Sequence, residues 1–245
     1  MRNFFILWRK ELTSLFLSPV AYVTMVVFIA AAMGTFIGAV LHNIGNTERL
    51  SILLFSSIFF WMPVLVTVVS MRLFAEEKRQ GTLETLMTAP VTELEVVLGK
   101  YFGALSFVLL AQAPVVGTVF LLMKMCPAVT LAMVDPGAVA GGVLITVLLS
   151  VFLLSIGLLV SLLTSNQIIS AICCFAANWM VLFFGWFWSM VPGVSRRVVE
   201  GVSATIHIED FARGVIDLAP GVLYISGAVF MLFTAVRVLE SRRWL

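Results

Sequence analysis

The residues able to carry out chemistry are few in this chain, and they form no catalytic or metal-binding set. Cys126, Cys173 and Cys174 show no CxxC or cysteine–histidine spacing, so neither a disulfide framework nor a zinc site is indicated. Neither His42 nor His207 has a cysteine or a second histidine near it in the sequence. The chain also lacks the G-x-x-x-x-G-K-[ST] loop that would cradle ATP phosphates. We therefore predict that the chain is not an enzyme and binds no cofactor or metal of its own.

Charge is instead concentrated in residues 72–100, which hold nine of the chain's 28 charged residues. Gly81 allows a sharp turn there, and Thr82 can cap a short helix that Pro90 ends. Glu84 falls in the first turn of this helix, where a carboxylate is favoured. Three apolar residues of this helix share one face by i, i+3, i+4 spacing: Leu83, Leu86 and Met87.

A second helix start follows directly, because Thr92 and Glu95 have the spacing of a capping box. The short helix before it could dock into a groove of a partner protein or lie on the bilayer surface. The acidic residues favour docking, because the anionic inner leaflet would repel them. These residues are Glu76, Glu77, Glu84, Glu93 and Glu95.

The composition shows which elements must position this segment. The chain has 245 residues, of which 61% are hydrophobic and only 11% charged, whereas soluble domains carry about 25% charged residues. A helix that crosses a bilayer needs about 20 consecutive apolar residues. The long continuous apolar runs predict an all-α integral membrane protein with six transmembrane helices. They cover about 19–41, 50–74, 100–123, 137–163, 168–191 and 218–240, with 75–99 as the cytoplasmic loop.

Two further segments do not span. Residues 2–17 have an apolar face of phenylalanine, tryptophan and leucine opposite a basic face, which predicts an amphipathic elbow helix in the membrane interface, in contact with lipid. The alternative is a plain cytosolic extension of the first span. Residues 192–217 are predicted to be extracytoplasmic, either as short helices packed at the membrane surface or as a solvated loop.

The distribution of Lys and Arg predicts the orientation. With the N-terminus inside, the inner segments hold ten of the 15 basic residues and the outer segments hold five. We therefore expect a multi-pass protein of the bacterial inner membrane with both termini in the cytoplasm. The net charge of +2 is too small to indicate a nucleic-acid partner.

Few polar groups lie at membrane depth. Gln112 and Asn178 need partners there, and they serve either a translocation path or hydrogen bonds between helices. Gly34 and Gly38 form a G-x-x-x-G pattern, which allows close helix approach within one subunit or between two.

The segment from Glu76 to Leu86, with Ala89–Thr92 and Val97–Lys100, resembles the first cytoplasmic loop of ABC-2 type transporter permeases. The segment from Phe211 to Leu218, with Tyr224 and the terminal Arg242-Arg243, resembles the gliding-motility-associated branch of that family. The resemblance covers essentially the whole chain. It implies the ABC-2 permease, or type V exporter-like, fold with six spans and an elbow helix.

The resemblance also implies a function. The loop helix would be the coupling helix, seated on a separate ABC ATPase subunit present in two copies, which binds ATP and Mg²⁺. A second permease subunit, identical or related, would complete an exporter. The resemblance carries over five contact residues: Glu77, Gly81, Thr82, Glu84 and Leu86. The apolar face of the helix adds Leu83 and Met87 to this contact. Two alternatives remain: a non-transporting subunit that transmits ATP-driven motion to an envelope or gliding machine, and a self-sufficient secondary transporter.

Overall fold

The fold is a bundle of α-helices with short connections. The computed structural model describes residues 2–43, 49–82, 91–125, 135–191 and 195–241, and these contain ten helices and no strand. They are α1 Arg2–Leu17, α2 Pro19–His42, α3 Leu50–Ser70, α4 Ala75–Gln80, α5 Glu93–Met125, α6 Pro136–Leu163, α7 Gln167–Ser189, α8 Arg196–Val202, α9 Ala204–Ala212 and α10 Leu218–Ser241.

Six of these helices are long and apolar enough to cross a membrane, counting α3 and α4 together, so the predicted all-α membrane fold is confirmed. α3 and α6 form the centre, because 61% and 56% of their most apolar stretches are buried. The same fraction lies between 17% and 33% in α2, α5, α7 and α10, which surround them. Their exposed apolar residues are the lipid-facing surface that such a helix bundle requires.

Local signals in the sequence determine where α6 and α7 begin. Pro136 occupies the first turn of α6, where a missing N–H costs nothing, and Asp135 Oδ1 accepts a hydrogen bond from Gly137 N at 2.9 Å. The polar run at 164–167 forms the predicted turn between α6 and α7. Asn166 Oδ1 begins α7 by accepting a hydrogen bond from Ile168 N at 2.9 Å.

The N-terminal helix α1 lies along α5, and two glycines make room for it. A Cβ atom built on Gly99 would lie 2.7 Å from Leu7 Cβ, and one built on Gly103 would lie 2.7 Å from Glu11 Cβ. The indole of Trp8 donates a hydrogen bond to Ser106 Oγ at 3.1 Å. Leu7 departs from the amphipathic pattern in the sequence, and the structure gives the reason: it packs against α5.

The second predicted span also differs from the observed helices. The sequence predicts one span over 50–74, whereas α3 ends at Ser70 and α4 begins at Ala75. Residues 71–74 form turns between them. The third predicted span corresponds to α5, which begins at Glu93 rather than near 100. This helix therefore extends beyond the predicted span toward the charged loop.

Candidate functional site

A buried ionic cluster lies where the charged loop meets the bundle. Lys100 Nζ is 2.7 Å from Glu77 Oε1 and 3.2 Å from Glu11 Oε2. Lys100 is only 5% exposed, and its ammonium also lies 5.3 Å from the centroid of the Phe74 ring. We call Glu11, Glu77 and Lys100 the Lys100 junction. It joins α1, α4 and α5 at a single cation.

The burial of the junction decides how strongly it holds these helices together. An exposed ion pair contributes about 0–1 kcal/mol, because water and salt screen it. A buried cation with two carboxylates is different, since removing one partner leaves an uncompensated charge in a poorly solvated place. Glu77 Oε2 is buried too, and it has no hydrogen-bond partner among the described residues.

A cavity of about 580 Å³ lies beside the junction. Its walls come from α1, α4, the start of α5 and the residues next to the break at 71–74. The polar lining residues are Lys10, Glu11, Ser14, Arg72, Glu76, Glu77, Gln80, Thr82 and Lys100. Arg72 Nε contacts Glu76 Oε2 at 2.8 Å, and its guanidinium also donates to the Ser18 hydroxyl. Polar side chains thus line most of the cavity, and two groups of paired charges bound it: Arg72 with Glu76, and the Lys100 junction.

The charged loop leaves this cluster through a fixed turn. Gly81 ends α4 in the left-handed conformation, with φ of 70°, and its N–H donates to Lys78 O at 3.2 Å. Thr82 Oγ1 donates to Glu77 O at 3.3 Å, back toward α4. Four of the predicted contact residues lie outside the described residues: Leu83, Glu84, Leu86 and Met87.

The chain re-enters the described region at 91, and Thr92 and Glu95 form reciprocal bonds. Thr92 N donates to Glu95 Oε2 at 3.3 Å, and Glu95 N donates to Thr92 Oγ1 at 3.3 Å. These bonds cap the N-terminus of α5, the end of the helix that carries Lys100. Both ends of the loop are therefore attached to defined helix termini.

A second attachment of α4 was not predicted from the sequence. The ammonium of Lys78 donates to Leu162 O and, at 3.3 Å, to Thr164 O. These carbonyls lie at the C-terminus of α6, where a cation interacts favourably with unpaired carbonyls. Only the clustering of charge in 72–100 pointed toward such a role, and it could not identify the partner.

The two polar residues predicted at membrane depth differ in their surroundings. Gln112 Nε2 donates to Ser150 Oγ at 2.8 Å, which links α5 to α6. Asn178 on α7 is fully buried, and within the described residues neither its Oδ1 nor its Nδ2 has a hydrogen-bond partner. Besides Glu77 Oε2, three more buried polar atoms have no partner among the described residues, and they lie on α3 and α7: Trp61 Nε1, Thr67 Oγ1 and Trp179 Nε1.

At the opposite end of the bundle, α8 and α9 form a cap that a histidine and several backbone carbonyls attach to the other helices. His207 lies between Tyr224 Oη, 2.8 Å from Nδ1, and Glu200 O, 2.9 Å from Nε2. Because a carbonyl can only accept, Nε2 carries the proton in the neutral ring and Tyr224 donates to Nδ1. Burial lowers the pKa of His207, and this outweighs the opposing effects of the Glu200 carbonyl and the nearby Asp210 and Asp217.

The end of α9 docks on the two central helices. Ser51 Oγ donates to Ala212 O at 2.8 Å, and Arg49 Nη1 donates to Arg213 O at 2.8 Å. A Cβ atom built on Gly141 would lie 2.3 Å from Phe211 O, so α6 approaches this backbone very closely. Gly214 turns the chain away with φ of 86°. The motif around 211–214 therefore has a packing role in this structure.

Comparison with known families identifies the class of protein. The model of the family described as ABC-2 family transporter protein matches residues 6–224. The chain therefore belongs to the ABC-2 family of transporter proteins. It is a multi-pass membrane permease component of an ABC transporter and is not itself catalytic. The match does not support the narrower assignment to the gliding-motility branch. No curated protein matches the chain.

Proposed function

We propose that this chain is the permease subunit that a separate ABC ATPase, present in two copies, drives through the loop between Gly81 and Val91. The ATPase binds ATP and Mg²⁺, and the permease receives the resulting motion. A second permease subunit, identical or related, completes an exporter in the bacterial inner membrane, with both termini in the cytoplasm. The excess of basic residues on the loop side supports this orientation.

The observation that carries the proposal is the Lys100 junction at the base of the loop. A loop that receives force must be attached to helices that can move, and Glu77 and Lys100 lie on the two helices that flank it. Glu11 adds the elbow helix to the same cation. A pull on the loop would therefore reach α1, α4 and α5 together rather than one helix end.

The buried polar atoms without a partner on α3 and α7 support a path through this chain. A buried polar group without a partner costs about 1–3 kcal/mol, so a purely structural asparagine would be expected to find one. Asn178 has none among the described residues, whereas Gln112 forms a bond between helices. We propose that Asn178 faces the path when α3 and α7 separate, and that Gln112 is structural.

Purification of the tagged chain from its own membranes tests the proposal. We expect a P-loop polypeptide to co-purify and to hydrolyse ATP. Glu84→Lys and Leu86→Asp should release it, because one reverses a charge and the other places a charge on the apolar face. Leu94→Asp is the matched control: Leu94 is exposed at the start of α5, beyond the segment between Gly81 and Val91. If the ATPase still co-purifies with both loop variants, the proposed contact is wrong.

Two measurements separate the alternatives. Flux in liposomes without any ATPase would indicate a self-sufficient secondary transporter and would contradict the proposal. Binding of the ATPase with no measurable flux of any substrate would favour the non-transporting subunit of an envelope or gliding machine. We expect flux that requires both the ATPase and ATP.

A further inference from the structure

The break between α3 and α4 occurs at specific backbone groups. In a continuous helix, Phe74 N would bond to Ser70 O, and Ala75 N would bond to Met71 O. Here Leu73 N donates to Ser70 O at 3.1 Å, and this i to i−3 bond closes a tighter turn than the i to i−4 bond of an α-helix. The N–H groups of Phe74 and Ala75 and the carbonyl of Met71 therefore need other partners.

One hydroxyl from another helix supplies all three bonds. Phe74 N and Ala75 N both donate to Ser161 Oγ at 3.1 Å. Ser161 Oγ in turn donates to Met71 O at 3.4 Å. Its oxygen thus lies between Met71 O and Ala75 N, the pair that would bond directly in an unbroken helix. A side chain inserted into the i to i−4 ladder is a recognised cause of a helix break.

The approach of α6 makes this insertion possible. Ser161 is fully buried, and Gly157 lies one turn before it on the same face of α6. A Cβ atom built on Gly157 would lie 2.3 Å from Ser70 Oγ, so only a glycine lets α6 come this close to the end of α3. The bonds of Lys78 to the C-terminal carbonyls of α6 hold the other side of the break.

We propose that the Ser161 hydroxyl is the wedge that keeps α4 separate from α3 and attaches the base of the loop to α6. Ser161 is then a positioning residue: force on the loop reaches α6, the most apolar central helix, through Ser161 and Lys78. Without the wedge, Ala75 N can bond to Met71 O, and α3 and α4 can join into one helix. The role in coupling rests on the proposed function, but the wedge itself does not.

Distance measurement between two spin labels tests the wedge in the purified full chain. The labels replace Phe60 on α3 and Arg79 on α4, both exposed, after the three native cysteines are changed to alanine. One continuous helix would separate these positions by about 28 Å along its axis. We expect Ser161→Ala to shift the distance distribution toward that value relative to the parent protein.

Two variants make the result specific. Ser155→Ala removes another fully buried hydroxyl of α6, but one that donates to Phe152 O of its own helix at 2.6 Å, so it should give the parent distribution. Ser161→Thr keeps a hydroxyl and should also give the parent distribution. An unchanged distribution in Ser161→Ala, or an equal shift in Ser155→Ala, would overturn the proposal. So would a shift in Ser161→Thr, even if Ser161→Ala could not be purified.

The measurement also separates this proposal from the proposed function, because it requires no ATPase. If Ser161→Ala shifts the distance distribution as expected but the chain binds no ATPase, only the docking of the loop is refuted. A chain that binds the ATPase through the loop but whose break is unaffected by Ser161→Ala would refute only the wedge.

Discussion

The two ends of the bundle are held together by different kinds of contact. At the loop end, the Lys100 junction places one buried cation against two carboxylates from different helices. At the opposite end, the cap of α8 and α9 is held by hydrogen bonds to backbone carbonyls, by a neutral histidine and by close packing on Gly141.

This difference indicates which end is built to move as a unit. A buried ion pair adds little net stability over apolar packing, but breaking it is costly, so it keeps its helices in one arrangement. Hydrogen bonds to backbone carbonyls and packing on glycine also hold helices in place. Losing one such contact costs less than breaking a buried ion pair. We interpret the loop end as the place where force enters, and the cap as a structural closure of the bundle.

The largest expected effect is at the junction itself. Lys100→Met should lower the free energy of unfolding by about 3–5 kcal/mol, because Glu11 and Glu77 would face each other without a cation. Arg196→Met at the cap is the control: Arg196 pairs with Glu200, but its side chain is 92% exposed, so about 0–1 kcal/mol is expected. Unfolding of the detergent-solubilised proteins measures both. Similar losses of unfolding free energy in the two variants would contradict the proposed difference between the loop end and the cap.

The next effect concerns packing at the cap. Gly141→Ala should cost about 1–3 kcal/mol, because its new methyl group would meet the backbone of Phe211, which cannot move aside as a side chain would. Gly34→Ala is the matched control, since nothing lies within 4 Å of its Cβ position. There the same change should be neutral or stabilising. The same unfolding measurement checks both, and equal losses would mean that the close approach of α6 is unimportant.

A smaller effect should appear as pH is lowered. Burial depresses the pKa of His207 in the folded protein, so the unfolded chain binds the proton more readily. Stability should therefore be complete above the unfolded value of about 6.5 and decline as the pH falls below it. His207→Gln should reduce this decline. Unfolding at a series of pH values measures the slope, and a slope unchanged in His207→Gln would contradict the assignment.

The smallest effects should distinguish the two polar residues at membrane depth. Gln112→Leu should cost about 0.6 kcal/mol, the typical value of a hydrogen bond between membrane helices. Asn178→Leu should not cost stability, because Asn178 has no bond to lose among the described residues. It should instead reduce ATP-dependent flux. A stability loss in Asn178→Leu that exceeds the loss in Gln112→Leu would show that Asn178 is structural.

The sequence predicted the helices well where the signal was a long apolar run. The predicted spans at 19–41 and 137–163 lie within about a residue of α2 and α6, because a bilayer sets the length of such runs. The break at 71–74 could not be predicted. It depends on Ser161, which lies some 90 residues away in the chain, and no local pattern reports the approach of another helix.

The candidate site was predicted in outline only. Charge in 72–100 identified the segment, and the resemblance identified Glu77, but neither indicated that Lys100 and Glu11 would meet it. In the sequence, Lys100 is the last charge of the 72–100 segment and the first residue of a predicted span. Its partners come from α1 and α4, and pairing across helices depends on packing that apolar periodicity does not encode.

The central claim is that the loop between Gly81 and Val91 contacts a separate ATPase. A photoreactive amino acid in place of Leu86 tests it most directly, with the same label at Val198, which is exposed on α8, as the control. We expect a crosslink from position 86 to a P-loop polypeptide and none from position 198. A label at position 86 that crosslinks only to lipid, while position 198 reaches the ATPase, would contradict it.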